Sequence, residues 1–255
     1  MSSIDLSIII PCYMEAARIG DTLERLATFL ATRQYGEVEV LLVIADSPDG
    51  TGHIACQKVS LFKHIRIIDA GPKVGKGYQV RLGMFEAQGA CRVFLDADLA
   101  TPLIHLDDVV SLAAEGVKVG IAVRSLSSVH SELLRKFTTT IGNILIQVIL
   151  LPGLKDTQCG FKFFEAKAAE EIFGRMTIVG WGFDMEVLAL ARRLGYGIAT
   201  FKAPDWTDPK ASHEGLVGDA AIGVALQVLR DLFKVRWNIL RGRYGRKSYM
   251  HHAIY

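Results

Sequence analysis

Cys91-Arg92-Val93-Phe94-Leu95-Asp96-Ala97-Asp98 is a short apolar run that ends in two acids one residue apart. An apolar run of this length reads as a buried strand. In an open α/β sheet the carboxyl end of a strand is where ligands bind. Two carboxylates there can offer oxygens to a hard divalent ion that carries phosphates. A solvated turn holds paired acids just as readily, so the neighbouring sequence has to decide between the two.

Upstream, Leu6-Ser7-Ile8-Ile9-Ile10 is a second apolar run, stopped by Pro11 and followed by Cys12-Tyr13-Met14-Glu15. Ile19, Leu23, Leu26 and Leu30 then recur at helical spacing. Val38 to Ile44 is the next strand, and it ends in the turn-rich acidic loop Ala45-Asp46-Ser47-Pro48-Asp49-Gly50-Thr51 before a short helix near His53 to Val59. Ile65 to Asp69 is a third strand. Gly71-Pro72-Lys73-Val74-Gly75-Lys76-Gly77 then leads into a helix reaching about Gln88. Strands alternating with helices imply a mostly parallel, Rossmann-like α/β sheet flanked by helices. Its carboxyl-end loops would bring Tyr13, Glu15, Asp46, Lys76, Asp96 and Asp98 to one crevice. Gly-Lys-Gly is no P-loop, because position 70 is Ala and no Ser or Thr follows the lysine.

The order P-x-Y-x-E, an acidic D-G-T loop, G-K-G and D-A-D resembles the nucleotide-binding half of family-2 glycosyltransferases with the GT-A fold. Asp156-Thr157-Gln158-Cys159-Gly160-Phe161-Lys162, Gly182-Phe183-Asp184-Met185-Glu186 and Trp206 with Lys210 and Ser212 extend the likeness to polyprenyl-phosphate sugar transferases. Within that branch the chain is most similar to dolichyl-phosphate glucosyltransferases, with the mannose synthases as near relatives. The resemblance covers about residues 6 to 215. It implies an inverting hexosyltransferase that moves a sugar, glucose first, from a nucleotide diphosphate sugar to a polyprenyl phosphate. UDP-glucose is the favoured donor and GDP-mannose the second.

The same resemblance distributes roles. Asp98, with Asp96 assisting or binding the ribose, would hold Mg²⁺ or Mn²⁺ against the departing diphosphate. Pro11, Tyr13, Glu15 and Asp46 would hold the nucleoside, and Lys76 would approach the nucleotide. Arg124, after the apolar strand Val119 to Val123, matches one lipid-phosphate arginine, Arg135 matches the other, and Thr139 matches a hydroxyl one turn later. Asp156 would take or orient the acceptor's proton. Asp184 and Glu186, read as preceding a helix from Val187 to Leu194, would meet sugar hydroxyls and a basic group. Lys210 and His213 would sit on a loop that closes over the diphosphate.

The chain departs from the family in two places. Ala45-Asp46-Ser47 replaces two adjacent acids, which weakens the base contact. Leu99-Ala100-Thr101 replaces a Gln-containing stretch common in the mannose synthases, which favours the glucose branch. Other readings stay open: a transferase with a non-lipid acceptor, or a nucleotide-sugar-binding protein without catalysis.

A chain of 255 residues, half of them hydrophobic, can bury one large core. The division expected is a GT-A domain over 1–215 and a C-terminal amphipathic helix with a basic tail over 216–255. From position 220 onward seven basic residues face one acid, Asp231, a net +6, although the whole chain carries only +2. Beside Val224, Leu226, Phe233 and Trp237, that charge suits an anionic membrane surface. No aromatic platform or recognition module accompanies it, so no nucleic-acid partner is expected. Phe137 to Leu154 lacks charge but is diluted by Thr, Asn and Gln and ended by Pro152-Gly153, so it reads as a helix against the domain or the lipid surface. Met1 to Asp5 shows no secretory leader, and Cys12, Cys56, Cys91 and Cys159 are scattered without metal-like spacing. The expected setting is the cytoplasmic face of a membrane. Homodimerisation through the C-terminal helix is an open alternative.

Overall fold

Leu6–Cys12 forms β1, fully buried along its length, and its alternation builds both sides of the protein. Ile9 points into one core with Leu41, Val43 and Phe94. Ile8 and Ile10 point into the other with Val40, Leu42, Val93 and Leu95. This two-sided burial is what a strand covered by helices on both faces requires. The computed structural model describes residues 4–124, 142, 144–154, 156–206 and 219–245.

After β1 come helix α1 (Ile19–Leu30), β2 (Val38–Ile44), the short α2 (Thr51–Cys56), β3 (Ile65–Asp69), α3 (Lys76–Glu86) and β4 (Cys91–Leu95). Helix α4 (His105–Ala114), β5 (Val119–Arg124), β6 (Phe161–Glu165), α5 (Ala166–Phe173), α6 (Phe183–Arg193), β7 (Ala199–Ala203) and α7 (Asp219–Leu240) follow. The seven strands are ordered β3-β2-β1-β4-β6-β5-β7. All neighbours are parallel except β6, which runs antiparallel to both β4 and β5. The α/β, mostly parallel GT-A architecture expected from the motifs is the one observed.

β1 lies between β2 and β4, so the chain turns in opposite directions from its two edges and opens a crevice at the carboxyl ends of β1 and β4. Cys12 ends one strand and Leu95 the other. The loops carrying Tyr13 to Glu15 and Asp96 to Asp98 therefore meet there.

Helix α6 starts at Phe183, four residues earlier than the sequence reading placed it. Asp184 and Glu186 consequently lie in its first turn, where acids favour the helix dipole. Leu232, Val235 and Tyr244 of the C-terminal segment join the core that holds Ile9 and Phe94, so α7 packs as part of the same body. Within 137–154, residues 144–149 are helical and the chain turns at Leu150. Among the described residues no helix is long and apolar enough to cross a membrane.

Candidate active site

The D-A-D turn is held from beneath and from the side. Thr22 of α1 donates its hydroxyl to the Ala97 carbonyl at 2.5 Å, and Asp98 Oδ1 accepts the Ala100 amide at 3.0 Å. Leu99 adopts φ 50°, the left-handed region that a tight reversal demands. Asp96 lies directly against Gly160: a Cβ at that position would sit 1.9 Å from Asp96 Oδ2. Only glycine lets the D-T-Q-C-G segment approach the carboxylate so closely.

Lys76, the first residue of α3, reaches Asp96 Oδ1 at 2.5 Å. Burial would lower its pKa, but Asp96, Asp184 and Asp98 outweigh burial and raise it. Its ammonium also lies 5.7 Å from the Trp181 ring, which is half exposed at the mouth of the crevice. Gly75, at φ 150°, permits this entry into α3, since a Cβ there would meet the Val179 carbonyl at 2.4 Å.

On the β1 side, Met14 takes φ 59°, and the loop is bonded to the acidic loop after β2. Ser47 accepts the Met14 amide at 3.2 Å, Thr51 accepts the Glu15 amide at 2.8 Å and Asp49 accepts the Ala16 amide at 3.0 Å. Tyr13 stands beneath the Lys73 ammonium, 4.0 Å from its ring centroid. Pro11 is buried at the strand end and Asp46 is exposed at the rim, its amide bonded to the Gly71 carbonyl at 2.8 Å. The expected nucleoside residues thus occupy one side of the crevice.

Glu15 faces the acid pair. Burial raises its pKa to about 7; Arg18 opposes the rise, and Asp98, Asp96 and Asp49 add to it. Its Oε2 is buried, 2.9 Å from Arg18 Nε, without hydrogen-bond geometry. Asp98 is likewise raised, by burial and then by the charge of Asp96.

At the far end of the crevice Arg124 closes β5 in a two-pronged pair with Asp156. Burial lifts the Asp156 carboxyl, but the Arg124 hydrogen bonds and charge prevail and hold it below the ordinary carboxylate range. The Arg124 guanidinium lies over the Trp206 ring at 5.1 Å. Trp206 also lines a small recess with Asp96, Leu99, Ala100, Thr101 and Gly160, so it stands between the arginine and Asp96. Asp156 is buried and ionised and acts on a basic partner, which suits orientation better than proton abstraction.

Two expected donor contacts lie beneath the crevice. Asp184 is 4% exposed and bonded to the fully buried Lys162 of β6. Glu186 is inaccessible: its oxygens accept from the Thr177 amide at 2.9 Å, the Thr177 hydroxyl at 2.7 Å, the Ile178 amide at 2.8 Å and the Tyr244 hydroxyl at 2.7 Å. Four donors leave this carboxylate no capacity for a sugar hydroxyl. It anchors the strand of loop that carries Val179 and Trp181. Lys162 and Lys73 stood in quoted motifs without a role, and Trp181 was not singled out. A lysine between Phe161, Phe163 and Phe164 was the available signal for a buried charge needing a partner. Arg135, Thr139, Lys210 and His213 lie outside the described residues.

The model of glycosyl transferase family 2 matches residues 7–173. The chain belongs to glycosyl transferase family 2. The transferase is 31% identical to the dolichyl-phosphate beta-glucosyltransferase of Drosophila melanogaster, over 91% of this chain and 74% of that one. It is 30% identical to the human protein of the same name, over 93% and 76% respectively. Among solved structures, mannosyl-3-phosphoglycerate synthase from Rubrobacter xylanophilus superposes with a TM-score of 0.68 at 16% identity, covering 99% of this chain and 79% of its own. Glucosyl-3-phosphoglycerate synthase from Mycobacterium tuberculosis, solved with Mn²⁺, UDP and glucosyl-3-phosphoglycerate, gives 0.67 at 17% identity, covering 92% of this chain and 80% of its own. These two likenesses establish the shared fold.

The donor set of the transferase fits a divalent ion of one kind. Among the described residues no three His, Cys, Asp or Glu side chains converge as a self-sufficient metal cage. Magnesium is commonly held by one or two carboxylates with substrate phosphates and water completing the shell. Asp96 and Asp98 would be that pair, and the burial and the Asp96 charge that together raise Asp98 are a penalty a cation would relieve.

Proposed function

We propose that this transferase moves glucose from UDP-glucose to a polyprenyl phosphate of the dolichyl type, with inversion at the anomeric carbon. The observation that carries this reading is the Arg124–Asp156 pair standing beside the D-A-D turn, bridged to it by Trp206. A fixed guanidinium suits phosphate oxygens, and the relatives at 30–31% identity bear a name with that acceptor in it.

A divalent ion, Mg²⁺ or Mn²⁺, at Asp96 and Asp98 would neutralise charge growing on the leaving diphosphate. Pro11, Tyr13, Glu15 and Asp46 hold the nucleoside on the β1 side, and Lys76 meets the diphosphate. Arg124, with Arg135 and Thr139, receives the acceptor phosphate. A phosphate oxygen then attacks the anomeric carbon as the bond to the diphosphate breaks. A phosphomonoester is already largely dianionic near neutral pH, its second pKa being about 6, so no strong base is required. Asp156 therefore orients Arg124. Lys210 would help to cover the donor and exclude water.

Residues 1–215 act as the catalytic unit and 216–255 as its lipid-facing part. Helix α7 exposes Leu226, Phe233, Trp237 and Leu240. Arg230, Lys234, Arg236, Arg241 and Arg243 stand around them, all exposed. This is the composition of a helix that lies in the plane of an anionic leaflet, and it supports a peripheral position on the cytoplasmic face.

Transfer of labelled sugar from UDP-glucose, and separately from GDP-mannose, to a short polyprenyl phosphate in detergent tests the reading, with Mg²⁺, Mn²⁺ or chelator. Metal-dependent label in the organic phase from UDP-glucose is expected. No transfer despite donor binding would reject the acceptor, and transfer from GDP-mannose alone would reject the donor.

A further inference from the structure

His105, the first residue of α4, is 7% exposed and has a carboxylate on each ring nitrogen. Nδ1 lies 2.8 Å from Asp108 on the same helix, and Nε2 lies 2.7 Å from Asp205, one hundred residues further along the chain. The Phe201 ring of β7 is its aromatic neighbour at 6.0 Å. Asp107, next along α4, is turned away to Arg33 and Tyr35. Asp108 and Asp205 are thus the charged groups that face the imidazole from the elements packed on it.

Asp205 is followed directly by Trp206, the residue over the Arg124 guanidinium. Among the described residues the backbone after Ala203 contributes one long hydrogen bond, from the Trp206 amide to the Ala203 carbonyl at 3.4 Å. β7 ends at Ala203, paired with Arg124 of β5, and beyond that strand end the contact with His105 is, among the described residues, the side-chain tie between this segment and α4. We infer that His105 is a positioning residue for acceptor binding: clasped by Asp108 and Asp205, it fixes the segment that sets Trp206 against Arg124.

This inference rests on the acceptor role proposed for Arg124. A neutral imidazole carries one N–H, so both carboxylates are bonded only when the ring is charged. Burial lowers the His105 pKa, but the two carboxylates outweigh it and raise the group above its ordinary value. The clasp is doubly bonded while the ring is protonated, and one arm is released as the ring loses its proton, at a pH above the ordinary histidine value.

The test uses the full chain and follows the acceptor KM from about pH 6 to 9. Asp205→Asn, on a half-exposed carboxylate, should raise the acceptor KM about fivefold at pH 6.5, leave the donor KM within about twofold and move the alkaline limb to lower pH. Asp108→Asn should move the limb the same way. A second readout does not depend on the acceptor. With Trp181→Phe and Trp237→Phe, Trp206 is the sole tryptophan, and its emission should titrate with the clasp and cease to do so when His105→Gln is added. An unchanged acceptor pH profile in Asp205→Asn, or the same Trp206 titration with His105→Gln, overturns the inference. Failure of the parent to use polyprenyl phosphate rejects the acceptor reading instead, and the Trp206 titration still decides the clasp.

Discussion

Arg124 and Asp156 are locked by two parallel bonds, Nε to Oδ2 at 2.7 Å and Nη2 to Oδ1 at 2.9 Å, and the Arg124 amide adds a third to Oδ2 at 3.2 Å. Such a fork fixes the plane of the guanidinium as well as its place. A carboxylate so engaged holds Arg124 still, and its lowered pKa makes it a weak base.

Asp156→Asn should accordingly reduce kcat/KM for the acceptor on the order of 30-fold, with donor affinity unchanged. Because the carboxyl is held below its ordinary value of 3.8, its contribution to stability is present above that pH and is lost as pH falls through the lower folded value. The activity profile should show no acid limb from Asp156 near neutrality. A limb that disappears in Asp156→Asn would assign it a base's role.

Gly160→Ala places a methyl 1.9 Å from Asp96 Oδ2. The carboxylate must move, so activity should fall at least about tenfold and more Mg²⁺ should be needed for half-maximal rate. Metal titration of the variant, with thermal unfolding as control, separates displacement of Asp96 from loss of fold.

Lys162 and Asp184 form a fully buried pair, and the lysine also donates to the Cys159 carbonyl at 2.5 Å. Lys162→Met strands Asp184 and should cost about 3–5 kcal/mol in urea unfolding. The double variant with Asp184→Asn should recover part of that loss.

Glu186→Gln and Tyr244→Phe address the carboxylate that was expected to touch the donor. Each removes a buried hydrogen bond and should cost about 1–2 kcal/mol. The donor KM should stay within about twofold, because Glu186 bonds only protein groups. A tenfold rise without loss of stability would return it to the donor site.

His105 sets a pH dependence of stability opposite in sign to that of Asp156. Its folded pKa is raised above 6.5, so its stabilisation is complete below that value and fades as pH rises through the folded pKa. The stability gap between the parent and His105→Gln should narrow from pH 6 to pH 9, read by urea midpoints at each pH.

The strands β1 to β5 and the gathering of Tyr13, Glu15, Asp46, Lys76, Asp96 and Asp98 were legible because they rest on local signals. Apolar runs mark buried strands, Pro and Gly mark their ends, and a parallel α/β sheet places such ends on one edge. Asp184 meets a basic group as expected, in Lys162, but the helix start was placed four residues late; a Cβ at Gly182, just before that start, would lie 2.6 Å from Asp231 Oδ2 of α7, a contact no local window contains. Lys162 was visible as an oddity among phenylalanines. Its partner was not, since Asp184 is twenty-two residues away on another element.

The sequence by itself determined the layered α/β architecture and the edge at which chemistry gathers, because periodicity and turn residues act over a few neighbours. Only the tertiary structure decided which partner each carboxylate has. Asp96 sits against Gly160, Asp156 is spent on Arg124, Glu186 is saturated by four donors, and His105 is clasped across one hundred residues. Those assignments depend on burial and on partners brought together by long-range packing, and it is burial that turns an acid near a crevice into a ligand, an orienting group or an anchor.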